Sequence, residues 1–265
     1  MSILTPVLIF VLISIAFGFL LGFANDKFKV EIDERIPLVR ECLPSANCGG
    51  CGFPGCDAYA AAIVDEGAEI KKCLPGGQES IRRISHIMGV ESEEVEPQVA
   101  FVQCNGSKEN ARENYIYQGI MDCNQASVIP GKGSKACEYS CMGFGNCVNV
   151  CAFGAIGIIN GVAVIDEEKC TACGTCVNTC PKGIIKLYPK KSKVRVRCVS
   201  KAKGKEVLNA CPVGCIGCSL CEKTCGTLTK AIAMKDNLPE YDYDKCYSCA
   251  SCVKKCPRNS IYIVK

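Results

Sequence analysis

Twenty of the 25 cysteines in this 265-residue chain stand in five groups of four. Cys170, Cys173, Cys176 and Cys180 read C-x2-C-x2-C-x3-C, followed by Pro181. Cys215, Cys218, Cys221 and Cys225 repeat that spacing with Gly226 behind it, and Cys246, Cys249, Cys252 and Cys256 repeat it with Pro257. Cys137, Cys141, Cys147 and Cys151 form a looser run, C-x3-C-x5-C-x3-C, with Ala152 in place of the proline and Gly143 and Gly145 widening the loop. Cys48, Cys51, Cys56 and Cys73 form C-x2-C-x4-C-x16-C. The C-x2-C-x2-C-x3-C-P run is the bacterial [4Fe–4S] pattern, in which three close thiolates hold one cluster and the fourth holds its neighbour. Runs therefore work in pairs. Cys137, Cys141 and Cys147 are expected with Cys180, and Cys170, Cys173 and Cys176 with Cys151. Cys215, Cys218 and Cys221 are expected with Cys256, and Cys246, Cys249 and Cys252 with Cys225. With a single cluster on Cys48, Cys51, Cys56 and Cys73, the expectation is five [4Fe–4S] clusters.

The competing chemistry is structural zinc, but that uses two separated C-x2-C knuckles around one ion, which runs of four with a trailing proline do not match. Five cysteines are left over: Cys42, Cys104, Cys123, Cys198 and Cys211. Free cysteines commonly serve as small buried hydrophobes. The alternative is a further metal site involving Cys104 and Cys123 or Cys198 and Cys211. Other chemistry is poorly provided for. His86 is the single histidine, so histidine-rich catalysis and His-ligated zinc are nearly excluded, and no Ser/His/Asp constellation is possible beyond His86. Gly131 to Ala136 resembles G-x-G-x-x-A but precedes a cysteine run, not a strand–turn–helix unit, and no catalytic residue for an organic substrate is evident. One-electron transfer remains, with the protein setting position and potential.

These ligands need elements to hold them. Ile3 to Ala24 carries no charge and is long enough to cross ~30 Å of hydrocarbon as a helix. No Lys or Arg precedes it and the run exceeds a signal h-region, which favours an uncleaved anchor. Lys27, Lys29, Arg35 and Arg40 follow it, so the remainder is expected on the cytoplasmic side of the cell membrane. That compartment disfavours disulfides. One such helix without an acidic residue cannot form an ion pathway alone. Gly18 and Gly22 form a G-x-x-x-G pair that allows close helix approach. Beyond the anchor, helices are expected over Asp57–Gly67, with Asp57 at the N-cap, over Gln78–Met88, and over Lys108–Tyr117. Val99–Val102 reads as a strand. Asn160-Gly161 reads as a type I′ hairpin turn between two ligand runs, and Ala231–Met234 with Tyr241–Tyr243 repeats that plan. Ser80–Pro130 reads as a flexible connection.

The formal charge is +4. Each oxidised cluster with four thiolates adds about −2, so five bring the loaded chain to about −6. Lys182 to Lys205 holds ten basic residues and no acidic one. It either balances the clusters or forms a docking surface for an acidic electron donor. Nucleic acid has no supporting motif here.

An N-terminal anchor, then LPSANCGGCGFPGC, then ferredoxin modules is an order that resembles the B subunits of Rnf complexes, and the likeness runs over essentially the whole chain. Those complexes are ion-translocating ferredoxin:NAD+ oxidoreductases of membranes. The resemblance implies an electron-input subunit that takes electrons from ferredoxin and relays them to membrane subunits carrying flavin and Fe–S groups, with NAD+ reduced elsewhere and the twenty grouped cysteines as ligands. Ala152 and Gly226 depart from the pattern. The expected fold class is α+β. Its parts are an anchor over 1–25, a single-cluster domain over 26–79, a linker or helical region over 80–134, and ferredoxin-like modules over 135–197 and 198–265. An electron-transfer subunit of another anaerobic enzyme, of corrinoid or hydrogenase type, and a cysteine-rich zinc protein are the alternatives.

Overall fold

The computed structural model describes residues 4–28, 33–92 and 94–264. Helix α1 (Leu4–Lys27) has apolar residues on every side. Its Thr5–Asn25 stretch is long and apolar enough to cross a membrane, and none of its most apolar window is buried among the described residues. An all-round apolar helix left bare by its own fold needs an apolar environment.

Residues 33–88 form a small helical unit. Helices α2 (Arg35–Glu41), α3 (Cys56–Asp65) and α4 (Gly77–Met88) close around Val39, Tyr59, Ile63 and Ile84, all fully buried. Burying such side chains contributes ~1.5–3 kcal/mol each. Helix α4 carries Ile81 and Ile84 inward and stops at Gly89, whose left-handed φ of 68° closes the last turn. His86 is exposed on its far face. Helix α3 differs from expectation at its start: Gly55, not Asp57, is the N-cap. Asp57 lies in the first turn and accepts from Arg40 Nε at 2.7 Å.

The rest of the chain repeats one plan twice. Strand β1 (Gln98–Val102) is followed by α5 (Cys123–Ser127), α6 (Asn146–Asn149), β2 (Ile156–Ile159), β3 (Val162–Ile165), α7 (Thr175–Thr179) and β4 (Ile185–Pro189). The second pass runs β5 (Val194–Val196), α8 (Lys205–Ala210), α9 (Leu220–Gly226), β6 (Ile232–Lys235), β7 (Leu238–Tyr241), α10 (Ser251–Lys255) and β8 (Ile261–Ile263). Each pass has an antiparallel hairpin, β2–β3 or β6–β7, and an antiparallel pair of outer strands, β1–β4 or β5–β8. The first hairpin turns on Asn160 and Gly161, with φ of 48° and 74°, the two positive angles a type I′ turn requires. The second turns on Asp236 and Asn237, at 49° and 64°.

This pairing moves the domain borders read from the sequence. Residue 80 lies inside α4. Within 80–134, β1 pairs with β4 along its whole length, from Gln98 opposite Pro189 to Val102 opposite Ile185. Strand β5 lies before residue 198 yet pairs with β8. The units bounded by their own strand pairs are therefore 98–189 and 194–263. Residues 108–117 form no helix. They run as irregular chain tied down by Glu113 opposite Lys135 and by Arg112 N donating to Ala210 O at 3.1 Å.

The two units meet through an aromatic and arginine layer. Arg195 of β5 is completely buried. Its guanidinium lies 5.3 Å from the Phe101 ring and 5.6 Å from that of Tyr188, both on the first unit, and it is ion-paired with Glu167. Tyr243 of the second unit meets Tyr188 edge-on at 5.4 Å. A buried charge must be paired to be tolerated, so this contact fixes one arrangement of the units.

Candidate metal centres

The cysteines gather into six groups of four, not five. In the helical unit, Cys51 and Cys48 stand on the turn-rich loop before α3, Cys56 opens α3, and Cys73 precedes a tight turn. Asn47 Oδ1 accepts from Cys56 N at 2.8 Å and so fixes the loop to the helix start. The Cys73 thiol is pushed up to about 11, by burial first and then by Cys51, Cys56 and Cys48 around it.

In the first repeat, Cys151, Cys170, Cys173 and Cys176 line one pocket. Burial, and after it Cys173, Cys170 and Cys151, push Cys176 up to about 12. This is the grouping expected from the spacing. The second pocket differs from expectation. It is lined by Cys123, Cys141, Cys147 and Cys180, without Cys137. Cys147 is raised to about 12 by burial and then by Cys141, Cys180 and Cys123. Local chemistry places Cys123 there. Asp122 caps α5 by accepting from Gln125 N at 2.9 Å. Asn146, at the start of α6, accepts from Cys123 N at 2.8 Å and donates to Asp122 Oδ2 at 2.7 Å. The x3 and x5 spacing of the looser run leaves Cys137 a full loop away. Cys137 instead shares a cavity with Cys104, Cys198 and Cys211.

In the second repeat, Cys225, Cys246, Cys249 and Cys252 line one pocket. Cys215 is raised by burial and also by Cys256 and Cys218 beside it, and Cys221 reaches about 12 from burial with Cys215 and Cys218 adjoining. Both groups follow the expected exchange of fourth cysteines. Cys42 is the one left outside every group. It is buried, with its Sγ 3.3 Å from Leu38 O, as expected of a small core residue.

Donors converge on these sulfurs. Ala100 N reaches Cys170 Sγ at 3.4 Å and Ala155 N reaches Cys151 Sγ at 3.3 Å. Tyr241 Oη reaches Cys252 Sγ at 3.3 Å, and the hydroxyls of Thr229 and Ser260 lie 3.3 Å from Cys225 and Cys256 Sγ. Such donors stabilise thiolate over thiol. Among the described residues, no three His, Cys, Asp or Glu side chains close on a single metal ion. Groups of four cysteines that do not close on one metal ion, several of them met by hydrogen-bond donors, suit a sulfur-bridged iron cluster better than a single zinc.

The helical unit and the first repeat touch at their cysteine loops. Thr175 Oγ1 donates to Cys48 O at 3.2 Å. A Cβ at Gly50 would lie 2.0 Å from Cys173 O, so only glycine permits this approach. At the opposite end, Cys218 and Cys249 are exposed, alone among the cysteines. Lys193 N donates to Ser248 Oγ at 3.1 Å, which sets the basic stretch beside the Cys246–Cys249 loop.

Comparison with known proteins agrees with this chemistry. An "Fe-S cluster" family model matches residues 43–75, a "4Fe-4S binding domain" residues 163–186, and a "4Fe-4S dicluster domain" residues 214–260. The chain is 45% identical over 261 residues to the B subunit of the Na+-translocating ferredoxin:NAD+ oxidoreductase complex of Acetobacterium woodii, covering 98% of this chain and 78% of that one. It is 42% identical over 264 residues to the B subunit of the proton-translocating complex of Clostridium ljungdahlii, covering 98% and 92%. It is 40% identical over 247 residues to the B subunit of the ion-translocating oxidoreductase complex of Methanosarcina acetivorans, covering 93% and 92%.

Proposed function

Because the chain belongs to the family of B subunits of ion-translocating ferredoxin:NAD+ oxidoreductase (Rnf) complexes, we propose that it is the complex's electron-input wire, anchored by α1 as a single span with its cysteine-rich units on the cytoplasmic side. Bound [4Fe–4S] clusters would supply one-electron redox chemistry. Five of the cysteine groups are the ligand sets: the Cys48 group, the Cys151 and Cys123 groups of the first repeat, and the Cys215 and Cys225 groups of the second. The repeats are then tandem two-cluster ferredoxin-like modules.

Ferredoxin is the donor and docks at the second module. Exposed Cys249 brings a cluster edge to the surface there, and Lys190, Lys191 and Lys193 supply charge opposite to an acidic partner. Complementary charge raises encounter rates. The Cys48 group, nearest the anchor in sequence, hands electrons to the membrane subunits. The observation that carries this direction is the close packing of Gly50 and Cys48 on Cys173 and Thr175, which makes the N-terminal group the continuation of the first module.

Stopped-flow reduction by ferredoxin tests it. Cys252→Ser is expected to slow the first reduction, whereas Cys48→Ser leaves it intact and blocks only onward transfer. If loss of the Cys48 site blocks first reduction, the direction is reversed. Changing Lys190, Lys191 and Lys193 to Glu should lower the bimolecular rate by roughly 10-fold at low salt and flatten its salt dependence. An unchanged rate and slope would remove the docking surface.

A further inference from the structure

We propose that Cys104, Cys137, Cys198 and Cys211 hold a further [4Fe–4S] cluster, lying between the two repeats and joining them electrically. The proposal extends the electron-wire reading and rests on it.

The four cysteines come from widely separated parts of the chain. Cys104 follows β1, Cys137 begins the loose run, Cys198 follows β5, and Cys211 follows α8. They nevertheless line one cavity of about 310 Å³. Specific ties bring them together. Arg112 N to Ala210 O at 3.1 Å draws the segment after Cys104 against α8. Lys135, buried, donates to Gly106 O, Cys141 O and Gly161 O at 2.7, 2.8 and 2.8 Å, and so pins the chain just before Cys137 to the loop holding Cys104. Cys211 is followed by Pro212, as Cys180 and Cys256 are by Pro181 and Pro257.

The lining has the features of the other sites. Cys104 Sγ accepts from Gly106 N and from Cys141 N, each at 3.4 Å. Gly106 has no side chain to block the sulfurs: a Cβ there would sit 3.5 Å from Cys104 Sγ and 3.9 Å from Cys211 Sγ. Four cysteines without a disulfide among them, open to one cavity, have no purpose as core packing, since packing would close the space.

The position supplies the function. Cys104 packs against the core that contains Cys141 and Cys147. Cys198 shares a buried cluster with Cys215. The site thus touches the Cys123 group of the first repeat on one side and the Cys215 group of the second on the other. The step is a one-electron exchange: the bridging core takes one electron from the second-repeat cluster and returns one to the first-repeat cluster, with no bond made or broken and no proton moved.

The test is the metal content of the full chain, purified anaerobically and reconstituted with ferrous iron and sulfide. The expected result is about 24 iron and about 24 sulfide per chain, falling by about four of each in Cys198→Ala/Cys211→Ala and holding in Cys42→Ala. Should the double variant fold poorly, Cys104→Ser, on a different segment, is read by loss of one cluster's signal from the electron paramagnetic resonance spectrum of the reduced chain. About 20 iron in the unaltered chain, with or without one zinc, overturns the sixth cluster and leaves the five-cluster wire standing. About 24 iron that does not fall in either variant overturns the location. Fewer than about 12 iron with stoichiometric zinc overturns the wire itself.

Discussion

The two repeats share a plan of hairpin, outer strand pair and two cysteine pockets, yet they hold their sulfurs differently. The second draws all eight cysteines from residues 215–256, in two regular runs that exchange their fourth members. The first takes Cys123 from upstream and releases Cys137 to the cavity between the repeats. The donors differ as well. Hydroxyls of Tyr241, Thr229 and Ser260 face the sulfurs of the second repeat, whereas backbone amides of Ala100 and Ala155 face those of the first. Exposure differs in the same direction, with Cys218 and Cys249 at the surface and none of the first repeat's pocket cysteines there. A terminal unit that meets a soluble donor needs an exposed cluster edge. An internal relay needs neighbours on both sides, and its irregular run is shared among three sites: Cys137 in the cavity between the repeats, Cys141 and Cys147 in the Cys123 pocket, and Cys151 in the Cys170 pocket.

The largest expected effect separates the two plans at Cys123. In Cys123→Ala the first repeat should lose about four iron, and transfer from ferredoxin to the membrane subunits should fall to background, because an internal cluster has no bypass. Iron analysis and single-turnover kinetics check this. If Cys123→Ala keeps its iron while Cys137→Ala empties the same pocket, the first repeat is organised as the second is and the contrast fails.

Regular spacing made most of this legible in the sequence. The two-repeat plan, the first hairpin, α4, β1 and the gathering of the Cys48, Cys151, Cys215 and Cys225 groups follow from C-x2-C-x2-C-x3-C, Asn160-Gly161 and the Ile81/Ile84 periodicity, whereas the return strand of the second hairpin is Leu238–Tyr241 and not Tyr241–Tyr243. Cys123 lines the Cys141 pocket in place of Cys137 because a residue brought in by tertiary structure leaves no mark in local spacing. Only the x3 and x5 gaps hinted at it. The unit borders were misplaced because β1 and β5 are recognised by partners that lie more than 60 residues away, β4 and β8. Lys108 to Tyr117 looked helical by composition, but its backbone is committed to Ala210, Lys135 and the Ser134 carbonyl, a tertiary override of local propensity. Ser80–Pro130, expected to be flexible, contains most of α4 and all of β1.

An intermediate effect compares one glycine from each kind of run. Gly143, in the loose run, has φ of 77° and a Cβ there would lie 2.6 Å from Gly161 O. Gly174, in a regular run, has φ of 80° but nothing within contact distance. Gly174→Ala should therefore cost about 1 kcal/mol, from backbone strain alone. Gly143→Ala should cost about 3 kcal/mol, since the β2–β3 turn must also move. Anaerobic denaturant titration of the loaded chain checks the difference. Equal costs would mean that the loose run is not braced on the hairpin.

The smallest expected effect concerns potentials, and it sharpens the contrast in donors. Tyr241→Phe removes the hydroxyl 3.3 Å from Cys252 Sγ. That donor stabilises the reduced, more negative cluster more than the oxidised one, so its loss should lower the midpoint potential of the Cys225–Cys252 site. About 1 kcal/mol of a charge-assisted hydrogen bond corresponds to a downward shift of roughly 45 mV for one electron. The counterpart in the first repeat is Thr175, whose Oγ1 lies 3.5 Å from Cys173 Sγ but 3.2 Å from Cys48 O, to which it donates. A hydroxyl has one proton to give, so Thr175→Val should move the potential of the Cys173 site much less than Tyr241→Phe moves its own. It should instead loosen the seat of the N-terminal group. Redox titration followed by electron paramagnetic resonance distinguishes the two. Shifts of equal size would mean that side-chain hydroxyls tune both repeats, and the difference between an adjustable outer module and a backbone-fixed inner one would disappear.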